Sequence, residues 1–416
     1  MAVTIINTGR ARVVINVNDD SFVNLITEES TNLTSAFLTS NPGLITSLGN
    51  TAEREQGFIE ESSIENWVAR LSSASFVQGI GGVTFANPDG LTAAGTSRNI
   101  SEDWYAVQNY LLYGGDVIVG ATANDFADKE LACIFSTVDP NFGGSHGTTA
   151  MLKTALDDRG YNTVGIFHAG TGGTAVITPG DVAVDGSNAS ERAKVSFFVQ
   201  GSKRHLNYKR NTELSGSEGL RTTPLTPDVA GCFVRTDRDF APFFSPAGLR
   251  RGRILDIIKL DHNPSVSEQD TLYNANVNPV VTFPGEGTFL FGDKTGITET
   301  STFSRINISR LFIFLKKTIG RLARRTLFEF NDVETRTNFK LQASAILRGI
   351  QANRGISDFR IICDGSNNPP EVIDANVFNA DILIKPTKSI NFITLTFTNK
   401  NEADDLGGQP SQNTGN

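Results

Sequence analysis

A basic amphipathic helix near the carboxy-terminal end is the feature that most constrains this 416-residue chain. The sequence predicts the helix over residues 310–330, where side chains separate by type at about 100° per residue. One side collects the apolar residues Leu311, Phe312, Leu315, Ile319 and Leu322, and the other collects the cations Arg310, Lys317, Arg321, Arg324 and Arg325. The apolar side has to pack against another element, whereas the cationic side is either an ordinary solvated face or a surface for an acidic partner.

A second helix and three strands follow this helix. Asp332 and Glu334 supply an N-cap and a first-turn acid, and the second helix is predicted to end at Gly355. Strands are predicted at 361–362, at 380–384 and at 393–397, with a turn at 367–370. In the last strand Ile393, Leu395 and Phe397 alternate with threonines. This part of the chain therefore reads as an α/β module that ends in a strand.

The rest of the chain also mixes helices and strands. Residues 1–18 look extended, because Val13, Ile15 and Val17 recur with a period of two. Helices are predicted at 63–75, 102–113 and 149–159, and buried strands at 116–121 and 162–169. This alternation predicts a sheet covered by helices, in the α/β (or α+β) class. Residues 401–416 are polar and are predicted to be disordered.

Charge is distributed unevenly along the chain. The net charge is −8, yet residues 1–130 hold six basic residues against sixteen acids, and residues 303–354 hold eleven against three. One surface therefore suits an acidic partner and another a basic one. Nucleic acid is disfavoured as a direct partner because the whole chain is acidic and the basic helix face carries no interleaved aromatics.

The amino terminus alternates instead of running apolar, and no stretch reaches the ~18 apolar residues of a membrane span. Neither a signal peptide nor membrane insertion is predicted. The three cysteines, Cys133, Cys232 and Cys363, are far apart in sequence. They predict buried free thiols and a reducing compartment such as a bacterial cytoplasm.

Two short motifs raise an enzymatic alternative. Residues 287–295 approach a phosphate-binding loop, but Asp293 separates Gly292 from Lys294 where glycine should directly precede lysine. His146 lies in a His-Gly-Thr sequence similar to that of subtilisin-like proteases, but no serine-nucleophile motif follows it. The histidines are too scattered for a metal site. We therefore predict a non-enzyme without catalytic, cofactor-binding or metal residues, and the rival is a soluble α/β hydrolase that uses His146.

Several stretches, taken in order, resemble one family. They are the Asn-Ile-x-Arg-Leu sequence at 307–311, Phe-Glu-x-Asn-Asp at 328–332, Cys-Asp at 363–364 with Asn-Pro at 368–369, and a last strand after Lys385-Pro386. Together they resemble the carboxy-terminal domain of contractile phage tail sheath proteins. Residues 229–248 and 272–295 are similar to two further segments of the same family, so the resemblance covers roughly residues 229–398.

The resemblance implies a multi-domain α/β protein. Its expected parts are an amino-terminal strand arm (1–20), an outer α/β region (21–120), a subtilisin-like middle domain (121–296), the conserved sheath domain (297–388), a carboxy-terminal strand arm (389–400) and the tail (401–416). In this family the arms join the sheets of adjacent subunits. The arm residues Val13, Ile15, Val17, Ile393, Leu395 and Phe397 are thus expected at contacts between subunits.

The resemblance also implies a function. The chain is expected to polymerise with itself as a helical homo-oligomer, in stacked hexameric rings around a tail tube, and to contract so that the tube is driven through the host envelope. The tube-facing residues carried over are Arg310, Lys317, Arg321, Arg324 and Arg325. Expected further partners are the tube, baseplate and tail terminator proteins, and the expected location is the virion after assembly in the host bacterial cytoplasm. A phage-tail-like injection device of the bacteriocin type is the alternative, because the sheath is shared.

Overall fold

The structure is a computed structural model. It describes residues 22–26, 50, 52–53, 58–70, 101–120, 132–136, 163–169, 197–199, 202–206, 220–297 and 301–389. The predicted helix at 149–159, both strand arms and the tail lie outside these residues.

The strands are β1 (Phe22–Ile26), β2 (Phe58–Glu61), β3 (Asp116–Gly120), β4 (Cys133–Ser136), β5 (Val164–His168), β6 (Phe197–Val199), β7 (Ser202–Leu206), β8 (Leu220–Pro224), β9 (Lys259–Leu260), β10 (Val277–Asn278), β11 (Val280–Phe283), β12 (Gly287–Leu290), β13 (Ile356–Ile362) and β14 (Asp381–Pro386). The helices are α1 (Ile64–Arg70), α2 (Ser101–Leu111), α3 (Thr226–Asp239), α4 (Val266–Asn274), α5 (Ile306–Arg325), α6 (Val333–Ala352) and α7 (Pro370–Asp374).

In the described residues the largest sheet has seven strands, in the order β10-β6-β5-β4-β1-β3-β2. Neighbouring strands are parallel except β2, which runs antiparallel to β3 at one edge. All five residues of β5 are buried, as expected for a parallel strand covered on both faces. The α/β class is therefore confirmed.

This sheet takes strands from both the predicted outer region and the predicted middle domain. β1, β2 and β3 fall within 21–120, whereas β4, β5, β6 and β10 fall within 121–296. Those domain boundaries and the subtilisin-like character of the middle region stay predictions.

Helices α2 and α3 pack together beside the sheet through a close contact at Gly231. A Cβ atom on Gly231 would lie 2.3 Å from ring atoms of Tyr113, so only glycine lets the two elements approach. The Tyr113 hydroxyl donates to Asp228 Oδ1 at 3.0 Å and accepts the backbone N–H of Leu255 at 2.9 Å. The Val-Ala-Gly sequence at 229–231 thus serves close packing of the core.

The basic helix differs from the prediction at both ends. α5 begins at Ile306, four residues before the predicted start, and ends at Arg325, five residues before the predicted end. Arg305 is extended and precedes the first helical residue, and Phe328 has a positive φ of 71°, so the chain leaves the helical path before residue 330. The predicted apolar side is confirmed, because Leu311, Phe312, Leu315, Ile319 and Leu322 are all buried.

The second helix begins and ends close to the prediction. Asp332 is its N-cap and accepts the backbone N–H of Thr335 at 2.7 Å, and Glu334 lies in the first turn. The helix ends at Ala352, and Arg354 then takes a positive φ of 64°. Gly355 is needed there because a Cβ atom would lie 2.7 Å from Ile350 and 2.8 Å from Phe243.

The carboxy-terminal strands pair as an antiparallel two-stranded sheet, β13 with β14. The connection between them holds the predicted turn and also α7, a short helix that was not predicted. Asn368 fastens this connection, since its side chain donates to the carbonyl of Asn379 and accepts the backbone N–H of Asn379, each at 2.8 Å.

Cys133, Cys232 and Cys363 are buried free thiols, as predicted. Burial raises the pKa of Cys363 to about 11. Because the thiolate is the reactive form, about one Cys363 side chain in a thousand is reactive at pH 8.

We expect native Cys363 to resist a thiol-labelling reagent at pH 8 and to react on unfolding, as followed by mass spectrometry. Rapid labelling in the native state would contradict the burial.

A second prediction concerns the core between α5 and α6. Leu347 is fully buried there, whereas Leu341 on the same helix is 63% exposed. Leu347→Ala should lower the free energy of unfolding by about 2–5 kcal/mol, because it leaves a cavity. Leu341→Ala is the matched control and should change it by less than about 0.5 kcal/mol. Thermal unfolding followed by circular dichroism checks both, and equal effects would refute the packing.

Candidate subunit interface

The sheet of β13 and β14 exposes hydrogen-bonding edges. Each strand pairs only with the other among the described residues, so no further described strand covers the outer edge of either. Two backbone groups of β13 already bond side chains, because Ser357 O accepts from Gln351 and the N–H of Phe359 donates to Asp358. An edge of this kind is a template for a strand from another chain.

The two faces of this sheet differ in chemistry. Phe359 lies opposite Ile384, and Ile361 opposite Ile382, and these residues pack into the core shared by α5 and α6. Arg360 lies opposite Leu383 on the other face, where both are exposed. One buried face fixes the register in which a further strand can add, since a slip by one residue would turn its apolar side chains away from the core.

α5 joins this sheet to the rest of the protein because it contributes to two hydrophobic cores. Ile306 and Ile313 pack in the core around the large sheet, whereas Leu311, Leu315, Ile319 and Leu322 pack in the core formed with α6 and β13. The first turns of the helix are buried on all sides.

Arg310 lies in that buried part of α5. Its Nη2 atom donates to both carboxylate oxygens of Asp237 on α3, and both side chains are more than nine-tenths buried. The guanidinium also lies over the ring of Phe233, 4.7 Å from its centroid. The pair therefore ties α5 to α3 inside the subunit.

The five predicted tube-facing cations thus occupy different environments. The placement of Arg310 and Lys317 on an outward face is wrong, because both are buried, with 4% and 5% of their surface exposed. The helical periodicity gave the correct side of the helix, but at Arg310 that side is covered by Asp237 and Phe233 of α3. Arg321 is half-buried, and Arg324 and Arg325 are exposed at the end of α5.

Two features of this region were missed. The sequence does not identify Asp237 as the partner of Arg310, although Asp237 lies within the segment 229–248 that resembles the family. The turn after α5 exposes apolar side chains, including Phe328 and Phe330, which are 88% and 84% exposed. The predicted helix runs to residue 330, so the sequence does not predict that Phe328 and Phe330 lie in an exposed turn.

The predicted arm residues and the candidate catalytic histidine do not lie in the part of the chain that the structure describes. They are Val13, Ile15, Val17, Ile393, Leu395, Phe397 and His146. Within the described residues no cluster of metal-ligating side chains occurs, and none of the helices there combines the length and the apolar content of a membrane span.

Residues 287–295, whose sequence approaches a phosphate-binding loop, form strand β12 and the segment that follows it. Gly287–Leu290 forms β12, which pairs with β11 in a hairpin. The ammonium group of Lys294 donates to the backbone carbonyl of Tyr273 and lies 3.9 Å from the centroid of that ring. These contacts hold Lys294 against α4, which is not the geometry of a phosphate-binding loop.

Comparison with known proteins identifies the class of the carboxy-terminal module. Residues 298–400 match the family described as the phage tail sheath C-terminal domain. The resemblance to contractile phage tail sheath proteins is thereby confirmed for the module that contains α5, α6, β13 and β14.

Individual relatives agree. The tail sheath protein of Vibrio phage KVP40 is 43% identical over 220 residues, which are 53% of this chain and 31% of that protein. The tail sheath protein of Enterobacteria phage T4 is 45% identical over 177 residues, which are 42% of this chain and 27% of that protein. The matched part thus spans less than a third of the length of each of these relatives.

Solved structures share the fold over nearly the whole chain. A chain of the anti-feeding prophage baseplate aligns with a TM-score of 0.64 at 13% identity, covering 96% of this chain and 99% of that one. A chain of an extracellular contractile injection system, the PVC sheath complex in its contracted state, aligns with a TM-score of 0.63 at 13% identity, covering 96% and 97%. The sheath tail protein of Listeria innocua aligns with a TM-score of 0.51 at 10% identity, covering 90% and 94%.

The buried pair of Arg310 and Asp237 gives a prediction for stability. Arg310→Met should lower the free energy of unfolding by about 3–5 kcal/mol, because the buried Asp237 carboxylate loses the charge of the Arg310 guanidinium. Adding Asp237→Leu should restore part of the loss, because the buried carboxylate that Arg310 had compensated is then removed as well. A double-mutant cycle from denaturant unfolding measures the coupling.

The exposed Arg325→Met is the matched control for this cycle, and a change within about 0.5 kcal/mol is expected. Additive effects of the Arg310 and Asp237 substitutions would show that the pair does not couple the two helices.

Proposed function

We propose that this protein is a structural subunit of a contractile tail sheath. It polymerises helically around a tail tube, in stacked hexameric rings, and contracts to drive the tube through a host envelope. The proposal rests on the sheath-domain match of residues 298–400 and on the open-edged sheet within that domain.

The open edges of β13 and β14 carry the proposal. A strand of six or seven residues added to one of them forms several ladder hydrogen bonds, each contributing about 0.5–1.5 kcal/mol net. Eighteen extended residues reach roughly 60 Å at about 3.3 Å each, enough for an arm to leave one subunit and add to the sheet of the next. The arms at 1–20 and 389–400 are the strands proposed to do so.

Docking on the tube is proposed for the surface end of α5. Arg324 and Arg325 are exposed and Arg321 is half-buried, so this end presents cations that suit an acidic partner. Exposed ion pairs contribute only about 0–1 kcal/mol each, which suits a sheath that has to release the tube when it contracts. Arg310 and Lys317 act instead inside the subunit.

Contraction requires an assembly with two arrangements of the same subunits, connected by movement about flexible joints. In this proposal the energy is stored at assembly, so the subunit needs no catalysis. Baseplate and terminator proteins are the further proposed partners, and the virion tail, assembled in a bacterial cytoplasm, is the proposed location. The fold shared with injection-system structures favours a phage-tail-like device as the second candidate.

Negative-stain microscopy of the purified chain tests the proposal against the hydrolase alternative. Hollow cylinders of regular diameter are expected. Small monodisperse particles with a hydrolytic activity that His146→Ala abolishes would overturn the sheath function.

The amino-terminal arm gives a prediction for assembly. Replacing Val13, Ile15 and Val17 by Asp should abolish cylinder formation, because the apolar face of the added strand would become charged. Asn16→Asp with Asn18→Asp, on the other face of the predicted strand, is the control and should leave the cylinders intact. Sedimentation of polymer measures both, and unimpaired polymer in the triple variant would rule out this arm.

The tube-facing surface gives a separate prediction. Charge reversal of Arg321, Arg324 and Arg325 to Glu should reduce assembly on purified tubes at least about tenfold, because weak repulsions repeat in every subunit. Reversal of Arg348, exposed on α6, is the matched control. Normal co-sedimentation of the triple variant with tubes would show that this end of α5 faces elsewhere.

A further inference from the structure

A groove of about 740 Å³ lies between the α/β core and the sheath domain. Tyr273 and Phe291 line it from the α/β core, whereas Phe243 and Phe244, which pack with α6 and β13, line it together with Arg354 and the residues 387–389 that follow β14. Aromatic walls with polar groups at the rim are typical of a binding groove.

The charges around the groove are mostly positive. Arg250, Arg251, Arg354 and Lys388 line it, against the acids Asp270 and Asp293. Asp293 is already neutralised, because Arg305 Nη1 lies 2.9 Å from its Oδ1 atom. An occupant with negative charge therefore fits the rim.

Arg250 and Arg251 also favour an occupant with negative charge. Both guanidinium groups lie over the ring of Phe240, 5.1 and 5.5 Å from its centroid. Burial, together with the neighbouring charge of Arg250, lowers the pKa of Arg251. Neither arginine forms an ion pair within the described part of the chain. Two neighbouring cations of this kind favour the binding of a carboxylate.

The chain leaves the sheath domain at this same groove. Ser389 lines it and donates its hydroxyl hydrogen to Asp293 Oδ2 at 2.6 Å. Residues 390–416 continue from that point, and residues 402–406 read Glu-Ala-Asp-Asp-Leu, with three acids and one leucine. Residues 401–416 contain no lysine or arginine.

We propose that the groove binds residues 402–406 of its own chain, with the acids at the arginines and Leu406 against the aromatic wall. The thirteen residues from Ser389 to Glu402 span at most about 47 Å when extended, so the segment reaches back into the groove with slack. Its attachment at the groove wall keeps its effective concentration high.

The docked segment would regulate the arm. Residues 390–401 would then form a closed loop, so the predicted strand at 393–397 could not reach a neighbouring subunit until the acidic segment is released. This consequence rests on the proposed sheath function, whereas the binding of the segment to the groove does not.

Disulfide trapping tests the binding itself. Val266 lines the groove at the start of α4 and is 75% exposed, so Val266→Cys costs no packing. Paired with Ala403→Cys, it should form an intramolecular disulfide under copper–phenanthroline oxidation, seen as a cross-linked peptide by mass spectrometry. The three native thiols are buried and should not compete.

Leu341→Cys with Ala403→Cys is the matched control, because Leu341 is exposed on α6 and does not line the groove. A yield equal to that control would overturn the proposal. So would cross-linking found only between separately prepared Val266→Cys and Ala403→Cys chains after mixing, which would make a second copy the occupant.

Charge supplies an independent test. Arg250→Glu with Lys388→Glu should slow the intramolecular cross-linking about tenfold, since two attractions become repulsions. Arg325→Glu changes an exposed charge away from the groove and should leave the rate unchanged. An equal rate in both variants would overturn the electrostatic basis. Because each readout is taken on single chains, it stands whether or not the chain forms cylinders.

Discussion

The structure depends on one helix that belongs to two hydrophobic cores. α5 places Ile306 and Ile313 among the residues around the large sheet, and Leu311, Leu315 and Ile319 among those of the sheath domain. A helix that is buried in both cores cannot rotate or slide without opening one of them. The sheath domain is therefore held in a fixed orientation on the α/β core.

The buried ion pair adds specificity to this arrangement. Apolar contacts tolerate small rotations of a helix, whereas the Arg310 guanidinium has to meet the Asp237 carboxylate while lying over Phe233. Desolvation offsets much of the attraction in a pair of this kind, so its value lies in fixing the geometry more than in net stability. The first turns of α5 consequently serve cohesion within the protein, and the exposed cations Arg324 and Arg325 lie in its last turn.

The same orientation places the surfaces that the proposed function uses. The sheet of β13 and β14 packs one face against the α5–α6 core, and Asp293 of the α/β core accepts a hydrogen bond from Ser389, which follows β14. The groove forms where the two parts meet, which is why residues distant in sequence, such as Arg251 and Lys388, line it together. A fixed orientation of the two parts suits the repeated assembly proposed above, in which each copy has to meet its neighbours in the same way.

The sequence alone determined the elements whose signals are local. The apolar side of α5, the Asp332 cap, the end of α6 at Gly355 and the buried strands at β3 and β5 follow from periodicity and capping, which act over a few residues. The motif resemblance identified the sheath domain because its residues appear in order. Only the tertiary structure decided that Arg310 and Lys317 point inward, that the apolar turn after Arg325 is exposed and that four cations share a groove. Helical periodicity predicts which residues share a side of a helix. Which side is covered depends on elements that are distant in the chain, and no local pattern specifies where those elements pack.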